Sequence, residues 1–200
     1  MSTDRPGEFL SELTEAALRI DAQEITRACD LLWEVRERDA NVWVIGNGGS
    51  ASTASHFAAD LSKRTALEGR RRFRVSSLTD NPGWITALVN DLGFHNLFTE
   101  PLRNLMRSGD ALVVFSVHGG VGEDRAGRWS QNLMRAIDLA KRDFGASTLA
   151  FVGFDGGPMR EAADVSVLVP VASTPLVESL HVALHHWVCE ELRSRIEAHG

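Results

Sequence analysis

Three stretches of this chain, Ala111–Ser116 (ALVVFS), Ser147–Gly153 (STLAFVG) and Val165–Val169 (VSVLV), are apolar on nearly every residue rather than on every second one. A strand with one face in water alternates; one that is apolar throughout is covered on both faces, as in a parallel sheet flanked by helices. The run Val42, Trp43, Val44 and Ile45 has the same character, and residues 73–78 (FRVSSL) read as a further strand. Between these runs the apolar residues return at helical spacing. The segments are the stretch that follows Ser50, residues 82–90 with a proline in the first turn, residues 94–106 with Pro101 expected to kink or divide them, residues 129–143, a short helix after Asp155-Gly156-Gly157, and residues 174–198. Strand and helix in alternation predict an α/β domain with a five-stranded parallel sheet and helices on both faces. Ahead of the first strand, residues 8–39 carry helical periodicity on both sides of Asp21, which breaks or caps between two helices. Such leading helices make no crossover and are free to cover a sheet edge or build an oligomer. The chain is therefore expected to be one domain, 1–200, with N-terminal helices over 1–40 and the α/β core over 41–200.

The loop after the first strand reads Gly46-Asn47-Gly48-Gly49-Ser50. A strand, a glycine turn and a helix start in that order form an anion cradle, because the free N–H groups of the helix's first turn point out of it with the positive end of the dipole behind them. Ser50 or Ser52 would cap the helix and offer a hydroxyl. A tight connection without a ligand would use the same glycines. In an open parallel sheet, ligands sit beyond the carboxyl ends of the strands. The loop after Ser116, glycine-rich from His118 to Gly127, lies at that edge too and is expected to face the same pocket.

A formal net charge of −6 argues against a general nucleic-acid binder, whose footprint is basic. The run Arg70-Arg71-Arg72-Phe73-Arg74 reads as a solvated loop entering a strand. Two distant cysteines, Cys29 and Cys189, give no disulfide framework and suit a reducing cytoplasm. There is no apolar run of membrane-spanning length and no signal peptide in the opening residues, so neither a membrane nor a nucleic acid is expected as partner.

GNGGS followed by Ser55-His56-Phe57-Ala58-Ala59-Asp60-Leu61, with Val89-Asn90-Asp91 and a histidine-rich last helix, resembles the sugar isomerase (SIS) domain. More closely it resembles the sedoheptulose-7-phosphate isomerase (phosphoheptose isomerase) family. The resemblance implies a single flavodoxin-like SIS domain, a homotetramer with active sites between subunits, and conversion of a ketoheptose phosphate to an aldoheptose phosphate. It implies substrate contacts at Asn47, Gly48, Gly49, Asn90 and Asp91, to which the loop itself adds the Ser50 hydroxyl, and a phosphate loop at Ser116, His118 and Ser130, with His118 where a serine is usual and an insertion before Ser130. It implies catalytic roles for Asp60, His186 and Glu178 and a divalent metal, zinc in the family, at His56, Asp60, Glu178 and His186. Asp60 stands for a glutamate base and Glu178 for a glutamine, and Pro175 replaces an aspartate.

Aldose–ketose isomerisation needs a base beside a carbonyl, an acid on the neighbouring atom and positive charge at the oxyanion. A carboxylate and a histidine, with or without a divalent ion, supply these. His56 and Asp60, four residues apart, share a helix face. Glu178 and His186 are eight apart, roughly 12 Å along a straight helix, so sharing one ion would need an irregular start or a second chain. His181 and His185 are further imidazoles on the same helix. The alternative from another class is a non-catalytic SIS module that binds a sugar phosphate or a protein partner.

Overall fold

The apolar runs are the strands. In the computed structural model, which describes residues 5–120 and 130–199, they are β1 (Asn41–Gly46), β2 (Arg74–Ser77), β3 (Ala111–Ser116), β4 (Ser147–Gly153) and β5 (Val165–Val169). The spatial order is β2-β1-β3-β4-β5 with every neighbouring pair parallel. The order reverses beside β1, which lies between β2 and β3. The crevice for a ligand therefore opens between the loops that follow β1 and β3.

The helices are α1 (Arg5–Ala17), α2 (Ala22–Glu37), α3 (Gly49–Lys63), α4 (Pro82–Leu92), α5 (Thr99–Leu105), α6 (Gln131–Phe144), α7 (Gly157–Ala162) and α8 (Thr174–Ala198), with a 3-10 turn over Phe94–Asn96. Alternation along each strand divides the core in two. Val42, Val44, Val113, Phe115, Leu149 and Phe151 pack with Leu32 of α2, Phe57 of α3 and Val188 of α8. Ile45, Leu112, Val114 and Val152 pack with Leu102 of α5, Ile137 of α6 and Met159 of α7. Each fully buried side chain of this size is worth about 1.5–3 kcal/mol. Phe115 and Phe151 stack with centroids 4.7 Å apart, and Phe57 meets Phe115 edge-on at 5.7 Å, directly beneath the α3 and α8 residues of the site.

Asp21 caps α2, its carboxylate accepting from the Gln23 N–H at 2.8 Å. α2 then covers the sheet edge at β5. Glu24, 7% exposed, accepts from the outward Leu168 N–H at 2.9 Å and pairs with Arg160 at 3.3 Å. At the amino-terminal edge of the sheet, the buried Asp110 carboxylate accepts from the N–H groups of Asn41 and Arg107 and from the Trp43 indole, at 2.8–2.9 Å.

Two expectations change, and a third is decided between its alternatives. Neither Ser50 nor Ser52 caps α3; Gly48 occupies that position with φ 55°, a conformation a side chain would disfavour. Of the two outcomes expected at Pro101, the segment divides rather than kinks. The chain breaks before it, and α5 begins at Thr99 with the proline in its first turn, where no helical N–H is needed. The second strand is shorter than 73–78, because β2 is the open edge of the sheet and only four of its residues find partners. Ser130 occupies the N-cap position of α6 but makes no side-chain cap hydrogen bond. The glycine-rich segment after β3 lies outside the described residues from 121 to 129. No helix among the described residues is long and apolar enough to cross a membrane. Cys29 and Cys189 are free and buried.

Candidate active site

At the switch point, a cavity of about 290 Å³ is lined by Asn47, Gly48, Gly49 and Ser50 from the first loop. Phe115, Ser116, Val117 and His118 line it from the end of β3, Ser130 and Leu133 from the start of α6, and Thr174 and Glu178 from the start of α8. The two cradles expected to face one pocket do so. Seven sequence-predicted residues, Asn47, Gly48, Gly49, Ser50, Ser116, His118 and Ser130, converge here together with Glu178. Gly49 is required by close approach: a methyl group at this position would overlap the Glu178 carboxylate. That carboxylate thus rests over the positive end of α3. Asn47 and the buried Asn132 exchange side-chain amide hydrogen bonds of 2.9 and 3.0 Å, fixing the loop to α6. Ser116 Oγ accepts from the Gly119 N–H at 3.1 Å, which shapes the turn after β3. His118 tilts against Phe154 with centroids 4.5 Å apart and forms the wall shared with a neighbouring cavity of about 450 Å³.

A second cluster lies further along α8. His56 Nε2, Asp60 Oδ2 and His186 Nε2 form a triangle with sides of 3.2–3.3 Å. Helical spacing brings His56 and Asp60 together on α3, and the packing of α8 against α3 delivers His186. Ligand atoms about 2.0–2.1 Å from a tetrahedral zinc ion are about 3.4 Å from each other, so the triangle fits one face of such a site. The donor set of two imidazoles and a carboxylate suits the same ion. His185 adjoins this cluster and is completely buried. Burial first, and then its neighbours His186 and His56, push its pKa down to about 3. One turn back, burial lowers His181 to about 4, against a weaker opposing pull from the Val152 backbone. Neither nitrogen of either ring makes a hydrogen bond of ordinary geometry.

The predicted metal set is divided. Glu178 stands two turns of α8 before His186, roughly 12 Å by helical rise, and lies in the loop cavity rather than in the triangle. α8 is regular from Thr174, so an irregular start does not bridge the gap. Asn90 and Asp91 are exposed on α4, where the Asn90 amide donates to Asp91 at 2.7 Å, and they do not line the cavity. Asn132 is the residue sequence reasoning missed. Its only signal was an amide two places after Ser130, at the start of a helix entering the same rim.

An open sheet in this order, with a polar cavity at its switch point and an imidazole–carboxylate cluster on the flanking helices, defines a ligand-binding α/β protein with acid–base groups in place. A model of the SIS domain matches residues 8–122. Phosphoheptose isomerase of Helicobacter pylori strain Shi470 is 34% identical over 185 residues, covering 92% of this chain and 91% of that one. Lincomycin biosynthesis protein LmbN of Streptomyces lincolnensis is 42% identical over 187 residues, 92% of this chain but 64% of the longer relative. The structure of phosphoheptose isomerase GmhA from Neisseria gonorrhoeae superimposes with a TM-score of 0.83 at 28% identity, covering 96% of this chain and 98% of that one. The chain belongs to the phosphoheptose isomerase family of SIS-domain proteins.

Proposed function

We propose that this protein isomerises a sugar phosphate between ketose and aldose, with sedoheptulose 7-phosphate and D-glycero-D-manno-heptose 7-phosphate as the pair. The observation that carries the reading is the convergence of both glycine-containing loops and the start of α8 on one cavity, with the His56–Asp60–His186 triangle on the same two helices. Relatives named phosphoheptose isomerase along most of this chain support the substrate class.

In this reading the N–H groups at the start of α3 and the Asn47 amide hold sugar oxygens. Ser116, Ser130 and His118 receive the phosphate. A carboxylate lifts the proton next to the carbonyl and His186 returns one to the neighbouring atom. Glu178 lines the sugar cavity and Asp60 sits between imidazoles, so Glu178 is the better placed base within one chain. A divalent ion, zinc by its donor preference, would be held by His56, Asp60 and His186 and would supply positive charge to the developing oxyanion. The non-catalytic alternative is less well supported, because a binding module has no use for this acid–base set.

The proposed assembly is a homotetramer. Val89, Leu92 and Phe94 beside Asn90-Asp91, with Leu18 just after α1 and Trp187 on α8, are apolar and exposed, the surface a second copy would cover. Light scattering after gel filtration tests it. Two buried free thiols support the reducing cytoplasm as its compartment. The decisive experiment follows solvent proton exchange at C1 and C2 of sedoheptulose 7-phosphate by NMR. Exchange and product formation are expected from the unmodified protein and lost in His186→Ala and Glu178→Gln. Binding of the sugar without exchange overturns the enzyme reading.

A further inference from the structure

We propose that a basic cavity at the amino-terminal edge of the sheet binds a small organic phosphate, a nucleotide or a sugar phosphate, at a site separate from the sugar cavity. The inference does not depend on the isomerase reading.

The cavity, about 470 Å³, lies between the end of α2, the loop that enters β2 and the end of α8. Ile196, part of its lining, stands roughly 27 Å along α8 from Glu178 by helical rise. The arginine run before β2 supplies one wall, so it is more than a solvated loop. The guanidinium groups of Arg36, Arg70 and Arg71 line the cavity with one carboxylate, that of Glu37, and Arg36 already pairs with it. Glu34 and Glu197 pair with Arg38 at 3.6 Å and Arg193 at 3.0 Å, and neither they nor Glu68 line the cavity. The Arg70 side chain has no partner among the described residues, and Arg71 donates only to the backbone carbonyls of Arg36 and Glu37. Positive charge therefore stands in excess here, on a chain whose net charge is −6.

These cations are also held in place. Arg36 is 6% exposed, donates to the Arg71 carbonyl at 3.1 and 2.7 Å, and lies 5.0 Å from the centre of the Trp33 ring. His199 donates from Nδ1 to the Arg195 carbonyl at 2.9 Å and tilts against Trp33 with centroids 5.3 Å apart. Guanidinium forks match the oxygens of a phosphate group, and donors fixed beforehand cost less to order on binding. Trp33 and Ile196 add apolar surface beside them. A bare oxyanion has no use for that surface, whereas the base or carbon chain of an organic phosphate would cover it.

The test is titration calorimetry on the full chain at low ionic strength, with ADP, glucose 6-phosphate and inorganic phosphate as probes. At least one of the two organic phosphates is expected to bind more tightly than inorganic phosphate. That affinity should fall about tenfold or more in Arg70→Glu, and by less in Arg70→Ala. ADP binding the tighter of the two assigns the apolar surface to a base, and glucose 6-phosphate the tighter assigns it to a sugar. Both Arg70 variants should keep the thermal midpoint of the unmodified protein, because that side chain has no partner to lose. Arg103→Glu, on α5 and equal in charge change, should leave binding unaltered. An equal loss in Arg103→Glu, an affinity unchanged in Arg70→Glu, or inorganic phosphate binding as tightly as both organic probes overturns the proposal. So does the absence of binding by either organic probe at about 1 mM. Proton exchange on sedoheptulose 7-phosphate is read separately, and Arg70→Glu should leave it unchanged.

Discussion

Asn47 and Asn132 are joined by two side-chain hydrogen bonds of 2.9 and 3.0 Å, running in opposite directions across the rim of the sheet. The pair fastens the loop after β1 to the first turn of α6, so the two walls of the cavity share one hinge point. The Asn132 carbonyl oxygen also accepts from the Leu133 N–H at 2.9 Å. Replacing Asn132 by Ala removes both of these hydrogen bonds. The expected cost is about 1–3 kcal/mol in urea unfolding. The Michaelis constant for the sugar phosphate should rise about tenfold, because Asn47 no longer holds its position. Asn132→Asp should retain the contact with the Asn47 N–H and lose less.

Gly119 and Gly49 both lack room for a methyl group, but they should fail differently. A Cβ on Gly119 would collide with the backbone carbonyl of Gly156, and φ is +61°. That oxygen belongs to a turn locked by the Met159 N–H donating to the Gly119 carbonyl at 2.9 Å. Gly119→Ala is therefore expected to destabilise the fold by about 2 kcal/mol or more, read as a lower midpoint in thermal unfolding. A Cβ on Gly49 would meet the movable end of Glu178 instead. Gly49→Ala should leave the midpoint within about 0.5–1 kcal/mol, in line with a helix-compatible Gly to Ala change. It should lower the rate of isomerisation about a hundredfold by displacing that carboxylate.

His181 links stability to pH. Its ordinary pKa of 6.5 falls to about 4 in the folded chain because burial penalises the charged ring. Between these values the unfolded chain binds a proton the folded one refuses. Stability is therefore fully present above pH 6.5 and falls as pH drops toward 4. One group contributes a slope of about 1.4 kcal/mol per pH unit in that window, and His185 adds a second of the same sign. In His181→Leu, urea unfolding measured at about pH 4.5, 5.5 and 6.5 should show a shallower dependence by about that amount. An identical slope would mean that the ring is protonated in the fold.

Asp110 offers a control far from the cavity. It is 2% exposed and accepts from three backbone or indole donors at 2.8–2.9 Å, and from the Asn41 amide at 3.1 Å. Asp110→Ala should cost about 3 kcal/mol through stranded donors, with the Michaelis constant unchanged in the folded fraction. A change in substrate affinity at equal folding would show that the two edges of the sheet are coupled.

Much of the sheet was legible because burial on both faces writes itself as unbroken apolar runs: β3, β4 and β5 begin and end where those runs do. β2 was less legible, since an edge strand with half-exposed residues has no such run and its length is set by pairing with β1. The convergence of Asn47 and Ser116 followed from the rule that ligands gather at the carboxyl rim. The His56–Asp60 contact followed from a spacing of four. What spacing within one helix does not carry is where a second helix lies over it. His185, Glu178 and Asn132 acquired their surroundings only through the docking of α8 and α6. Asn90 and Asp91 were suggested by resemblance alone, and a single chain leaves them on its outer surface.

The grip of Glu24 on the Leu168 N–H means that the first forty residues shield the β5 edge from pairing with another strand. A sheet margin with an outward amide already occupied offers less to an incoming strand. Shortened versions that begin at β1 would bare that margin and the apolar side of β5, and would be expected to stick to one another before they lost any capacity to bind sugar.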